Sequence, residues 1–378
     1  MMPRAAAEGE REIESLEAFD AVTATHTSLD GWTVQSVDLS GRVAALETLG
    51  VSGAVFLGCT MSYSLAEDLT ERGALVFPKL PQLAFNPYRA SLYTAAELYD
   101  AQLDGGHYAQ SSDARVFEWF ASLGSVPPIQ ASLAMSLHDH AISDALDETW
   151  GVAEAKRSVG VMGGHATGRD EQTYIDAVHL GCSLASAGFV VATGGGPGSM
   201  EAANLGALLA GRKDRLDGVL AQLSHVPSFK PDISAWAQVA FDVLATLDAC
   251  DTAKQDANSI GVPTWFYGHE PPNVFARRIA KFFSNAIRED TLLQRCRAGI
   301  IYLPGAAGTV QEIFQTATRN YYASADEDVT PLILVGHDHW TKKLPAWPLL
   351  NSLGADRAMG ANLHLVDSIP EALNVLVG

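Results

Sequence analysis

The chain has 378 residues, 47% of them hydrophobic and 18% charged, with a formal net charge of −19 and a pI near 4.9. This balance describes a globular protein, long enough for two domains or for one large domain with an extension, and excludes an intrinsically disordered chain. So acidic a surface repels phosphate backbones and anionic lipid, so neither nucleic acid nor a membrane is an expected partner. A phosphorylated small molecule would need a local site of cations or backbone N–H groups.

Residues 1–25 are charged, lack the apolar stretch of a secretory signal and read as a mobile lead-in. No apolar run approaches the length of a membrane span. Over 26–150 the pattern predicts an N-terminal α/β and helical domain to which the sequence assigns no role. Strands are expected in WTVQSVDLS (32–40), GAVFLGCT (53–60) and ALVFP (74–78), and helices in RVAALETLG (42–50) and YSLAEDLTERG (63–73). Each of these helices closes near a glycine, the usual C-terminal stop. Helical stretches follow at 94–106, 113–124 and 129–150, with Pro127-Pro128 as punctuation.

Over 151–378 apolar strands alternate with helices, which predicts a doubly wound, Rossmann-like parallel sheet covered on both faces. The expected strands are SVGVMGG (158–164), FVVATGGG (189–196), GVLAQL (218–223), TWFYG (264–268), GIIYLPG (299–305), PLILVG (331–336) and LHLV (363–366). Ligands of such sheets bind beyond the carboxyl ends of the strands. Three loops of small residues fall there: GGHATGRD, which contains Gly164; GGGPGSMEA, with Gly194, Gly195, Gly196, Gly198, Ser199, Met200 and Glu201; and PGAAGTVQE, with Gly305, Ala306, Ala307, Gly308 and Thr309.

A glycine loop that opens a helix is an anion site, because its N–H groups are unobstructed. It can also be a tight turn with no ligand. The dinucleotide fingerprint is rejected for Gly194, Gly196 and Ser199, with Asp217 as the acidic residue, because that motif belongs after the first strand and this loop follows the second. In PGAAGTVQE, Thr309 and Glu312 satisfy a capping box, with Glu312 expected in the first turn. A box leaves the loss of side-chain bulk from Gly305 to Gly308 unexplained, and a ligand lying against the backbone would explain it. FARRIAKFFSNAIREDTLLQRCR (275–297) is expected as one helix. Its Arg277, Arg278, Lys281 and Arg288 are either a solvated basic face, balanced by Glu289 and Asp290, or the local positive charge a phosphate requires. On the same helix Phe275, Ile279, Phe282 and Phe283 form an apolar stripe, either core or contact surface.

No metal site is expected. His138 and His140 lie at i and i+2 in a helical pattern and point apart. Cys59, Cys182, Cys250 and Cys296 lack ligand spacing and read as ordinary buried thiols of a reducing, cytoplasmic compartment. No Lys stands in a setting for a Schiff base with pyridoxal phosphate, and no other cofactor is called for.

In their order, the loop GGGPGSMEA, an Arg on a helix and the loop PGAAGTVQE resemble the LOG family, also described as lysine decarboxylase-like, over roughly 157–340. With an added N-terminal domain the chain looks most like the long bacterial nucleotide 5′-monophosphate nucleosidases. The resemblance implies hydrolysis of the N-glycosidic bond of nucleoside 5′-monophosphates, catalytic roles for Glu312 and Arg288, a substrate site in the three loops, and a homo-oligomer with the 275–297 region near the subunit contact. It leaves open whether Arg277, Arg278 or Arg288 is the catalytic one. Two departures stand out: Ala306 replaces the second glycine of the family's PGG, and Glu289 follows Arg288 where the family carries Lys. The residue types fit the chemistry. A carboxylate stabilises an oxocarbenium-like ribose and orients water, while cations and N–H groups hold the phosphate and assist the leaving base. Binding of a nucleotide without cleavage is the alternative.

Overall fold

The computed structural model describes residues 11–80, 83–248, 258–267, 270–323 and 329–377. Contacts divide the chain into two compact units, Met1–Ser91 with Pro127–Ala145, and Leu92–Val126 with Leu146–Gly378.

The first unit holds a parallel sheet of β1 (Glu12–Ile13), β2 (Thr33–Gln35), β3 (Val55–Leu57) and β4 (Leu75–Phe77), in that spatial order. Helices Val43–Thr48 and Tyr63–Glu71 link β2, β3 and β4 as the sequence predicts. Ile13, Val34 and Phe56 pack with Phe19, Leu46, Leu65 and Leu69 in one buried cluster. The mobile lead-in expected over 1–25 is corrected for its described part. Residues 1–10 lie outside the described residues, but Ile13 pairs with Val34. Ser15 Oγ then caps helix Leu16–Thr23 by accepting from Ala18 N at 3.1 Å. A few apolar side chains among many acidic ones suffice to anchor this segment, because Ile13 and Phe19 are fully buried.

The second unit is a doubly wound α/β fold. Its sheet contains β5 (Ser158–Met162), β6 (Val190–Thr193), β7 (Ser259–Gly261), β8 (Arg278–Ile279), β9 (Gly299–Tyr302), β10 (Leu332–Val335) and β11 (Leu363–Val366). The order across it is β11-β10-β9-β5-β6-β7-β8, and every pair is parallel. The chain therefore builds outward from β5 to β8 and returns to lay β9 on the other side of β5. The order reverses between β5 and β9, and that is where an open α/β sheet leaves a crevice. Strands β5, β6, β9 and β10 are buried throughout, as continuous apolar runs require. Helices Gln172–Ser186 and Ser199–Leu208 pack backbone against backbone: a Cβ at Gly181 would lie 2.1 Å from Ala203 O, and one at Gly206 2.1 Å from Val178 O.

Three expected elements are corrected. GVLAQL belongs to helix Leu216–Leu223, which buries Leu216, Val219 and Leu223 at helical spacing. The strand expected at 264–268 is displaced to Ser259–Gly261. Thr264 keeps only an isolated bridge to Phe282, and Gly268 lies outside the described residues. The helix expected over 275–297 is two elements, strand β8 and helix Asn285–Arg295, the latter capped by Ser284 Oγ accepting from Ile287 N. Phe275, Ile279, Phe282 and Phe283 are all core, so they form no surface stripe.

The boundary expected at 150 also shifts, because Leu92–Val126 clusters with the second unit. Tyr99 Oη donates to Pro272 O at 2.7 Å, and Tyr93 bridges Ile279. Asp113 accepts from Lys281 Nζ at 2.6 Å, Trp265 Nε1 at 2.9 Å and Tyr108 Oη at 2.8 Å. Burial pushes the Lys281 pKa down, against the opposing pull of Asp113. Such partners are non-local, and hydrophobic periodicity carries no trace of them. Cys59, Cys182 and Cys296 are free and buried, whereas Cys250 lies outside the described residues.

Candidate functional site

A cavity of about 660 Å³ opens at the carboxyl ends of β5, β6 and β9. Its floor is the backbone of the three small-residue loops, represented by Gly164, Gly194, Gly196 and the run from Gly305 to Thr309. In the second loop a side-chain network replaces bulk as the source of rigidity. Thr193 Oγ1 accepts from Gly195 N at 3.0 Å and donates to Asn204 Oδ1 at 2.7 Å. Asn273 Nδ2 donates to Gly196 O at 3.1 Å and to Asn204 Oδ1 at 3.0 Å, while Asn273 N donates to Gly195 O at 2.8 Å. Thr193, Asn204 and Asn273 are fully buried, and so satisfied a network fixes a backbone that has no side chains of its own. Gly198 sits at φ +70°, and a Cβ there would lie 2.4 Å from Gly164 O, so the loops after β5 and β6 meet backbone to backbone.

The third loop feeds helix Ala307–Tyr321, whose N-cap is Ala306. Thr309 is therefore the third helical residue, its hydroxyl makes no capping bond, and Glu312 stands in the second turn. The expected capping box is thus absent, and structural capping does not account for Glu312. Gly305 is needed because a Cβ would fall 2.1 Å from Thr309 Oγ1. Ala306, at φ −122°, tolerates its methyl group, which explains the departure from a second glycine. First-turn N–H groups of a helix have no partner within it, and here they belong to Ala307, Gly308 and Thr309, all lining the cavity.

Arg288 and Glu312 meet at the cavity wall, Nη1 to Oε1 at 3.0 Å, both buried. Burial pushes the Glu312 carboxyl above its usual value, Arg288 pulls it back by charge and hydrogen bonding, and the neighbouring Glu289 pushes it up again. Arg288 Nε is buried with no hydrogen-bond partner among the described residues. Arg277 precedes strand β8 and Arg278 opens it, and Arg278 Nη1 donates to Thr149 O at 2.7 Å. Of the three arginines, only Arg288 lines the cavity.

Of the residues singled out in the sequence, Gly164, Gly194, Gly196, Met200, Arg288, Gly305, Ala306, Ala307, Gly308, Thr309 and Glu312 line the cavity. Gly195, Gly198, Ser199 and Glu201 do not; they hold the loops from behind. Glu201 is fully buried and pairs with Arg169, Oε1 to Nη2 at 2.5 Å and Oε2 to Nε at 3.2 Å. Arg169 in turn donates to Trp236 O at 3.0 Å and stacks over the Trp236 ring at 4.6 Å. Sequence reasoning missed His165, Glu171, Tyr267, Glu270, Gln311 and His339 as lining residues. His165 Nδ1 lies 3.2 Å from Glu270 Oε1, and His339 Nε2 lies 3.0 Å from Gly305 O. His165 and Gln311 lie within GGHATGRD and PGAAGTVQE, whose signal is missing bulk and not these side chains, while Glu171, Tyr267, Glu270 and His339 lie on segments that no motif marks.

Residues 156–214 match the model of the SLOG cluster4 family. The SLOG superfamily includes LOG-like, lysine decarboxylase-like folds, and the matched segment contains the first two of the three loops. No curated protein matches the chain. Among solved structures, the molybdenum cofactor binding protein from the phototrophic bacterium Rippkaea orientalis is similar at 17% identity and a TM-score of 0.35, covering 59% of this chain and 96% of that one.

Proposed function

We propose that the second unit is a phosphoribohydrolase that cleaves nucleoside 5′-monophosphates to free base and ribose 5-phosphate. The observation that carries this is the buried Arg288–Glu312 pair set in a cavity floored by the three stripped loops. A 5′-phosphate is held by the N–H groups that open helix Ala307–Tyr321, where backbone amides and the helix dipole favour an anion. Glu312, as the carboxylate, faces the developing ribose cation and orients the attacking water. Arg288 keeps Glu312 in place. The match of 156–214 to a SLOG model supports a nucleotide-related or cofactor-like ligand.

Incubation with AMP, GMP, CMP and UMP, followed by chromatography for free base and ribose 5-phosphate, tests the proposal. Product from at least one nucleotide is expected, and it should vanish in Glu312→Gln. One observation favours a second reading, nucleotide binding without cleavage: Arg288 already spends a donor on Glu312, and Glu171 and Glu270 add carboxylates to the lining. Calorimetric binding of AMP with no base released after prolonged incubation would select it. The homo-oligomer implied by the LOG resemblance stays part of the proposal, without the Phe275–Phe283 stripe as its contact. Light scattering at assay concentration tests it. Among the described residues no helix is long and apolar enough to cross a membrane.

A further inference from the structure

Beside the Arg288–Glu312 pair, the cavity wall carries a chain of hydrogen bonds that neither the ribose nor the phosphate calls for. It starts at Glu289, where LOG-like sequences carry Lys. Glu289 is buried, 1% exposed, and does not line the cavity. Its Oε2 accepts from Gln311 Nε2 at 2.5 Å and its Oε1 from Asn285 Nδ2 at 2.9 Å. The same Nδ2 donates to Tyr267 Oη at 3.1 Å. Gln311 and Tyr267 both line the cavity.

The chemistry of these groups fixes what the wall presents. A carboxylate accepts hydrogen bonds and cannot satisfy an amide oxygen. Glu289 therefore holds Gln311 by its nitrogen and leaves Oε1 as the end available to a ligand. The carboxylates of Glu171 and Glu270 line the same cavity. An exocyclic amino group meets such acceptors as a donor. A carbonyl in the same place sets oxygen against oxygen and gains no hydrogen bond from Gln311.

We propose that Glu289 is a positioning residue that fixes the Gln311 amide, and that the site thereby prefers amino-bearing bases, adenine and cytosine, to the oxo bases of the same shape, hypoxanthine and uracil. This rests on the nucleotide reading above and adds the base class to it.

AMP against IMP and CMP against UMP are matched pairs that differ in the amino-to-oxo exchange. The expected kcat/KM ratio is about tenfold or more in favour of each amino partner, the discrimination that one hydrogen bond supplies. In Glu289→Gln the new amide can donate as well as accept, Gln311 is free to turn, and both ratios fall toward one. Glu289→Asp remains an acceptor and keeps the preference. Gln311→Met, on an exposed helix position, removes the acceptor outright and serves if the buried variants fail to fold. A purely structural role for Glu289 would change rates on all four nucleotides together. Ratios near one in the parent protein, or ratios unchanged in both Glu289→Gln and Gln311→Met, overturn the proposal.

Dissociation constants for AMP and IMP from calorimetry need no turnover and separate the two claims. Tighter AMP binding without base release sinks the nucleosidase reading and keeps this one. Cleavage of all four nucleotides at equal efficiency does the reverse, and no binding of any of them removes both.

Discussion

Replacing Glu312 by Gln removes one charge from a buried pair while keeping an oxygen that can accept from Arg288 Nη1. Deleting one partner of a buried ion pair outright costs about 3–5 kcal/mol, because the remaining charge is stranded. Gln retains the hydrogen bond and relieves the desolvation of the carboxylate, so the stability loss should be no more than about 2 kcal/mol. Burial is the largest influence on Glu312 and raises its pKa above the ordinary 4.5 in spite of Arg288. A carboxyl with an elevated folded pKa holds extra protons in the native state. Its contribution is therefore most favourable below 4.5 and declines as pH rises through the elevated value. Gln does not titrate, so the variant should gain stability relative to the parent between pH 4 and neutrality. Activity should move much further: loss of a positioned carboxylate lowers turnover by about 10²–10⁴-fold, or about 3–5.5 kcal/mol of barrier. The assay is base release at saturating nucleotide, beside urea melts of both proteins from pH 4 to 8. A folded Gln variant with near-parental turnover would return Glu312 to a structural role. A stability difference that stays flat with pH would show that burial does not raise its pKa.

Gly308→Val tests the loop: a Cβ there meets nothing within 4 Å, so the variant should fold normally yet lose nucleotide binding, and parental affinity by calorimetry would refute the phosphate assignment. Gly198→Ala combines φ +70° with the contact to Gly164 O and should cost about 2 kcal/mol or more in urea melts. Gly218→Ala is its control, an unobstructed glycine inside helix Leu216–Leu223, and should stabilise by about 0.5–1 kcal/mol. Lys281→Met leaves Asp113 buried without its cation and should cost about 3–5 kcal/mol, part of it recovered on adding Asp113→Asn, which removes the charge and keeps an acceptor for Trp265 Nε1. A loss below about 1 kcal/mol in the single variant would mean that this pair does not hold Leu92–Val126 in the second unit.

Strands β2, β3 and β4 of the first unit, the parallel strands β5, β6, β9, β10 and β11, and the three stripped loops were all legible in the sequence; β1, two residues within a charged segment, was not. Each legible feature rests on local information: apolar runs of strand length, glycines at helix ends, and the removal of side chains next to a strand. Motif order made Arg288 and Glu312 candidates, but that the two pair, and that Arg277 and Arg278 stay away from the cavity, came only from the fold. Where two local patterns competed, the sequence misled. GVLAQL is apolar enough for a strand, but its buried positions recur at helical spacing once a neighbouring layer exists for them. FARRIAKFF has good helix formers, yet a sheet edge at β7 captures Arg278 and Ile279 as a strand and Ser284 starts the helix afresh.

The tertiary structure alone decided which atoms face the cavity. Glu201 and Ser199 belong to the same motif as Gly196 yet turn away from the ligand side, because Arg169, more than thirty positions distant, supplies a buried partner for Glu201. Thr193, Asn204 and Asn273 hold the glycine loop from 11 and 69 positions apart, and Glu289 sets Gln311 from another helix. A polar side chain's partner is chosen by proximity after folding. Sequence periodicity reports burial and direction along one element, and it carries no information about which donor a distant element will bring to it.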